Sequence, residues 1–120
     1  MYTTLVFVIL TIVKAFYEYK IEKDVLQVHI GSCTFYLSIP WAKSLKDKRQ
    51  CVKSIVEKMK NKFNISVAEI GENDNHNTAF LGFACVSGSK VHAENMLDTV
   101  IGFVESHTEA EVYGIESELI

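Results

Sequence analysis

Eight of the chain's 12 lysines and arginines fall between Lys43 and Lys62, where only Asp47 and Glu57 oppose them. That stretch carries +6, and since the whole chain stands at −3 the remaining residues carry −9. Clustered ammonium and guanidinium groups neutralise phosphate oxygens and release condensed counterions, which gives affinity for a nucleic-acid backbone with little sequence choice. At helical spacing Lys46, Arg49, Lys53 and Lys60 fall in one stripe, with Lys43 at its entry. The like-charge neighbours Lys46 and Arg49, Arg49 and Lys53, and Lys58 and Lys62 each cost a helix about 0.2 to 0.5 kcal/mol. Cations in the last turn complement the helix C-terminus, but Lys46, Arg49 and Lys53 sit where the dipole opposes them. Arg49, the single arginine, can grip phosphate through two parallel bonds, and amides near Ser44 add to the same anion site. Lys43, Lys46, Arg49, Lys53 and Lys60 are therefore the expected nucleic-acid contacts. The competing account is a solvated face whose lysine stems cover apolar edges.

No other constellation points to a reaction. His29, His76, His92 and His107 share no metal-ligand spacing with one another or with a cysteine. Cys33, Cys51 and Cys85 are odd in number and far apart, so neither a disulfide framework nor a zinc knuckle is indicated, and a reducing cytoplasm is the natural setting. The expectation is a non-enzymatic protein without metal, cofactor or small-molecule substrate.

The elements that must position the basic stripe are legible from residue 28 onward. In SCTFYLSI, Cys33, Phe35, Leu37 and Ile39 alternate with Ser32, Thr34, Tyr36 and Ser38, the period of a half-buried strand that Pro40 ends. Ser44 with Asp47 forms a helix-opening capping box. The helix buries Leu45, Val52, Ile55, Val56, Met59 and Phe63 on one face. NISVAEI and AFLGFACV read as a hairpin around the polar tract GENDNHNT. A second helix buries Ala93, Met96, Leu97, Val100, Ile101 and Val104, and EVYGIESELI closes the chain as an edge strand. This βαββαβ order predicts a ferredoxin-like α+β sandwich over residues 28–120: a four-stranded antiparallel sheet with two helices on one face.

The other face of that sheet is open. The third strand is apolar on both sides, so Phe80, Ala84 and Val86 want cover. Tyr36, Phe80 and Val86 form the expected contact surface for a partner protein or a homodimer. LGFACVSG resembles the ribonucleoprotein signature of RNA-recognition domains, but Leu81 stands for its leading cation and Cys85 and Gly88 for its later aromatics, so core packing accounts for it better. The loop SIPWAKSLK has neither the arginine-bearing anion loop of acylphosphatases nor a Cys-x-x-Cys. Trp41 within it is expected to pack under the sheet.

Residues 1–27 look foreign to this domain. MYTTLVFVILTIVKAFYEYKIEKD begins with about a dozen apolar residues, short of the roughly 20 that cross a bilayer, and lacks the flanks of a secretory signal. Translation starting near Val25, Leu26 or Val28 is the preferred explanation. A membrane anchor, with Lys14, Lys20 and Lys23 after the run keeping the domain cytoplasmic, or an added helix or strand covering apolar surface, are the alternatives.

SLKDKR after a strand ending in proline, followed by FNISVAE, LGFACVS and EAEV, resembles the YlxP-like family of small bacterial proteins over residues 28–120. Ser44 to Arg49 is the most specific element. The resemblance implies a ferredoxin-like fold and a gene setting among translation and ribosome-maturation factors, hence contact with structured RNA or a ribosomal subunit; it brings no catalytic residues. The family's hairpin tends to carry tryptophan, glutamine and arginine where this chain has His76, Asn77 and Thr78. If the domain begins after the apolar run, mass spectrometry of the native protein finds an N-terminus near residues 25 to 28. Peptides from residues 1–20 would refute the downstream start.

Overall fold

In the computed structural model, which describes residues 2–22, 27–71 and 74–120, the chain runs α1 (Tyr2–Glu22), β1 (His29–Ser38), α2 (Leu45–Lys62), β2 (Ser66–Gly71), β3 (Thr78–Ser87), α3 (Lys90–His107) and β4 (Glu111–Leu119). The sheet order is β2-β3-β1-β4, with every neighbouring pair antiparallel. From β1 on, this is the expected ferredoxin-like order. The helix count differs: three rather than two, because the N-terminal run is itself helical.

Central β1 shows how alternation becomes packing. Cys33, Phe35, Leu37 and Ile39 are buried under the helices, while Ser32, Thr34, Tyr36 and Ser38 face the other way. β3 repeats the pattern with Ala79, Leu81, Phe83 and Cys85 inside. α3 supplies Ala93, Leu97, Val100 and Val104 to the same core. It approaches β1 closely at Gly31, where a Cβ would lie 2.9 Å from Leu97 Cγ.

α1 packs against neither the sheet nor the other helices among the described residues, and its described side chains are exposed. The covering role considered for it is therefore not seen there. No described helix is long and apolar enough to cross a membrane. Lys23, Asp24, Val25 and Leu26, at the join and the expected start, lie outside the described residues, as do Glu72 and Asn73 of the hairpin.

Hydrophobic periodicity misses one member of the α2 core face. Lys48 is buried beside Cys51, Val52, Ile55 and Met59, whereas Leu45, Val56 and Phe63 are only half-buried. Its ammonium lies 3.1 Å from Glu69 Oε1 on β2 and donates to the Asn75 carbonyl at 2.8 Å. The same hairpin is fastened again by Asn77, whose side-chain amide donates to the carbonyls of Ile39 and Ala42, each at 3.0 Å. The Ile39 amide returns a bond to the Asn77 carbonyl at 2.8 Å. These bonds fix the loop from which α2 starts.

Removing Lys48 leaves a carboxylate and a carbonyl without their cation. Lys48→Ala should lower unfolding free energy in urea by about 2 to 4 kcal/mol, since Glu69 retains some access to water. Lys48→Met refills the volume and should lose about half as much; equal stability of Lys48→Ala and the parent would overturn this role.

Candidate nucleic-acid interface and open sheet face

α2 starts at a self-sufficient cap. Ser44 is extended (φ −155°, ψ 165°), and its hydroxyl accepts from the Asp47 amide at 3.2 Å. The Asp47 carboxylate accepts from the Lys43 amide at 3.0 Å. A negative charge of the protein's own thus sits at the helix entry, which weakens the expected contribution of amides near Ser44 to an anion site.

Beyond the cap, Lys43, Lys46, Arg49, Lys53 and Lys60 are all exposed. Lys46 to Lys60 spans ~21 Å of helix, long enough to meet several backbone phosphates. Lys53 Nζ lies 3.9 Å from Glu57 Oε1 with both side chains well exposed, an arrangement that contributes little in water. Lys60 stands apart at the lip of a groove of about 440 Å³ between the end of α2 and the β2 edge, lined also by Asn64, Ser66 and Val86. Lys62 is engaged structurally, with its ammonium 5.7 Å from the centre of the Phe103 ring.

Trp41 corrects an expectation. It is 48% exposed rather than packed under the sheet. The turn after β1 buries Ile39 and Ala42 and closes with the Ala42 amide donating to the Ile39 carbonyl at 3.1 Å, so the intervening Pro40 and Trp41 are turned outward.

On the open face, Tyr36 and Phe80 are direct partners across β1 and β3, with ring centroids 5.0 Å apart edge to face. Val86 lies at the far end opposite Ile30, six positions along and ~20 Å away. The expected trio is therefore not one site. Instead Tyr113 joins Tyr36, with centroids 6.1 Å apart. Tyr36 is therefore not alone on the open face. The register of β1 with β4 shifts between Tyr36 and Leu37: Tyr36 pairs with Gly114 and Leu37 with Val112, leaving Tyr113 as the extra residue of a bulge. Glycine beside an aromatic inside a strand is the cue that could have found it. A Cβ on Gly114 would lie 2.9 Å from the Tyr36 ring. Ile70 completes the patch over Gly82 and is 55% exposed.

Neither thiols nor imidazoles assemble into a centre. Burial pushes the Cys33 thiol up to about 11 and also raises Cys51, so both stay protonated at neutral pH rather than poised as nucleophiles. All three cysteines are free and buried. Among the described residues no group of three His, Cys, Asp or Glu side chains could hold a metal ion.

A family described as "Protein of unknown function (DUF503)" matches residues 30–117. The chain belongs to this family. It is 43% identical over 70 residues to "Uncharacterized protein YlxP" of Bacillus subtilis (strain 168), a match that covers 58% of this chain and 76% of that protein. Among solved structures, the de novo designed protein Foldit4 is similar at 12% identity and a TM-score of 0.48, over 78% of this chain and 97% of the design. The designed protein LFR1 1 with ferredoxin fold is similar at 10% identity and a TM-score of 0.41, over 78% of this chain and 85% of the design. Within this chain's SLKDKR stretch, Ser44, Asp47 and Lys48 serve the fold, and Lys46 and Arg49 are left facing solvent.

The Tyr36 hydroxyl donates to Glu116 Oε2 at 2.9 Å, and this bond, with the carboxylate's charge, raises the phenol above its ordinary value. The folded state therefore holds that proton more tightly than the unfolded chain, so the contribution is present below the ordinary tyrosine range and is lost as pH rises through the raised value. Glu116→Gln should move the Tyr36 titration back toward the ordinary value in an NMR pH series; no change would place the cause elsewhere.

Proposed function

We propose that this protein is a non-enzymatic cytoplasmic factor that binds the phosphate backbone of structured RNA, as in a ribosomal subunit, through the outer face of α2. The observation that carries this reading is the division of labour among the α2 cations. Lys48 and Lys62 have structural partners, whereas Lys43, Lys46, Arg49 and Lys53 are presented to solvent, with the weak Glu57 contact the one ion pair on the stripe among the described residues. Stability alone gives no reason to crowd three cations into the first half of a helix. The stripe lies on the side of α2 away from α3, since Lys60 borders the β2 edge whereas Lys62 meets Phe103 of α3. A polyanion on α2 is thus met by cations along one side of the helix, which leaves RNA shape to supply specificity. Three free buried thiols fit a reducing compartment.

A second reading, a protein-interaction module on the open sheet face, is favoured by the exposed aromatic patch. Homodimerisation there has less support, since the strands of a second copy bring no cation to the glutamates of the first.

Arg49→Gln with Lys53→Gln tests the first reading. Thermal stability should change by no more than about 0.5 kcal/mol, because relief of like-charge crowding offsets loss of the exposed Lys53–Glu57 pair. Co-sedimentation with ribosomal subunits should weaken, and the slope of log affinity against log salt should flatten by about one unit per lost phosphate contact. Lys58→Gln with Lys62→Gln should alter binding less. Unchanged affinity and salt slope in the Arg49/Lys53 variant would assign the stripe to solvent.

A further inference from the structure

The side chains that the four strands turn toward the open face include three carboxylates, Glu111, Glu116 and Glu118, all on β4 and all exposed. They include no lysine or arginine: β1 presents Ile30, Ser32, Thr34, Tyr36 and Ser38, and β3 presents Thr78, Phe80, Gly82, Ala84 and Val86. The cations of α2 lie on the opposite side of the sheet. Beside the carboxylates stands the Tyr36, Phe80 and Tyr113 cluster, with Tyr113 59% exposed. The Tyr36 ring is held in place by its bond to Glu116 and by its seat over Gly114.

β4 is also the terminal strand of the sheet. Its outward backbone groups can accept an added strand, whose alternate side chains would project over the same face. A second copy is a poor candidate for that place. Pairing β4 with β4 brings the glutamates of both copies together, the device by which edge strands avoid self-association. Single-stranded nucleic acid is a poor candidate as well, because bases stacked on Tyr36 and Tyr113 would carry their phosphates past three carboxylates.

We propose that the Tyr36 end of the open face, with the β4 edge, docks an extended cationic and apolar segment of another protein. Its arginine or lysine side chains meet Glu116 and Glu118, and its aliphatic side chains and the stems of its cations lie over the Tyr113 and Tyr36 rings beside the β4 edge. The inference deepens the second reading above and is independent of the α2 reading.

The test is selection of a random 12-residue phage-displayed peptide library on the immobilised full chain. The recovered peptide is then synthesised and titrated into ¹⁵N-labelled protein. Recovered sequences should carry arginine or lysine and apolar residues together at positions two apart, and shifts should concentrate at Tyr36, Phe80, Tyr113 and Glu116. Glu116→Gln with Glu118→Gln should weaken binding about 3- to 10-fold at low salt. Tyr113→Ser should weaken it about as much, with the melting temperature checked alongside. Arg49→Gln with Lys53→Gln should leave it unchanged, so failure of the α2 reading and failure of this one are separable. Recovery of no peptide, of peptides without cationic enrichment, or of peptides that map elsewhere would overturn the proposal. Shifts on the same face from a single-stranded oligouridine, with no peptide binding, would reassign it to bases. A concentration-dependent mass in sedimentation equilibrium that Tyr113→Ser abolishes would reassign it to a second copy.

Discussion

An ammonium group withdrawn from water must be met on all sides by oxygen, and that requirement at Lys48 organises the half of the molecule that faces outward through α2. Glu69 and the Asn75 carbonyl answer it, one from β2 and one from the hairpin tip. The rotation of α2 about its axis is set as a result. With Lys48 pinned inward beside Cys51 and Val52, residues at positions 46, 49 and 53 have nowhere to go but solvent. Such pairs are an uncertain source of stability, because desolvation of both ions offsets much of their attraction. Their better-attested use is to specify one arrangement over others. Here the specified arrangement is which cations the surface receives.

The sheet separates two surfaces of opposite electrical character. The helix layer presents a positive stripe on α2 toward the β2 edge and acidic residues of α3 toward β4, and the strand layer presents aromatic and aliphatic groups edged by glutamates. Overall charge near neutrality conceals this. The −3 of the whole chain is a difference between regions, and each region has a sign that favours a different class of neighbour. The two surfaces share β1, β2 and β3 as a floor, so one can be occupied without covering the other.

Much of this was legible in the sequence. Alternation located β1 and β3, helical periodicity located α2 and α3, and Ser44 marked the start of α2, where its hydroxyl indeed caps the helix. What periodicity could not show was a polar residue whose partners lie far along the chain. Lys48 looks like any other cation of the stripe until Glu69 and Asn75 are brought to it in three dimensions. Trp41 failed for a related reason: size suggested burial, but the turn had space inside for Ile39 and Ala42 only. Tyr113 could not be placed on a face from the sequence, because alternation presumes an unbroken ladder and one inserted residue moves a side chain from one face to the other. The exposure of Lys43, Lys46, Arg49, Lys53 and Lys60 was easier to read, since it demands nothing from distant residues, whereas the place of Lys60 beside the β2 edge was not.

The bulge in β4 makes chain length locally adjustable. On one side of it Leu37 pairs with Val112, on the other Tyr36 pairs with Gly114, and Tyr113 belongs to neither ladder step. A chain lacking that single residue could keep every other pairing in β4, with Val112 still under the helices and Glu116 and Glu118 still on the open side. Aromatic content on the open face is thereby decoupled from the integrity of the sheet. Evolution could gain or lose this tyrosine by a one-codon insertion or deletion, and an alignment of such chains would show it as a gap within a strand, a place where gaps are usually read as error.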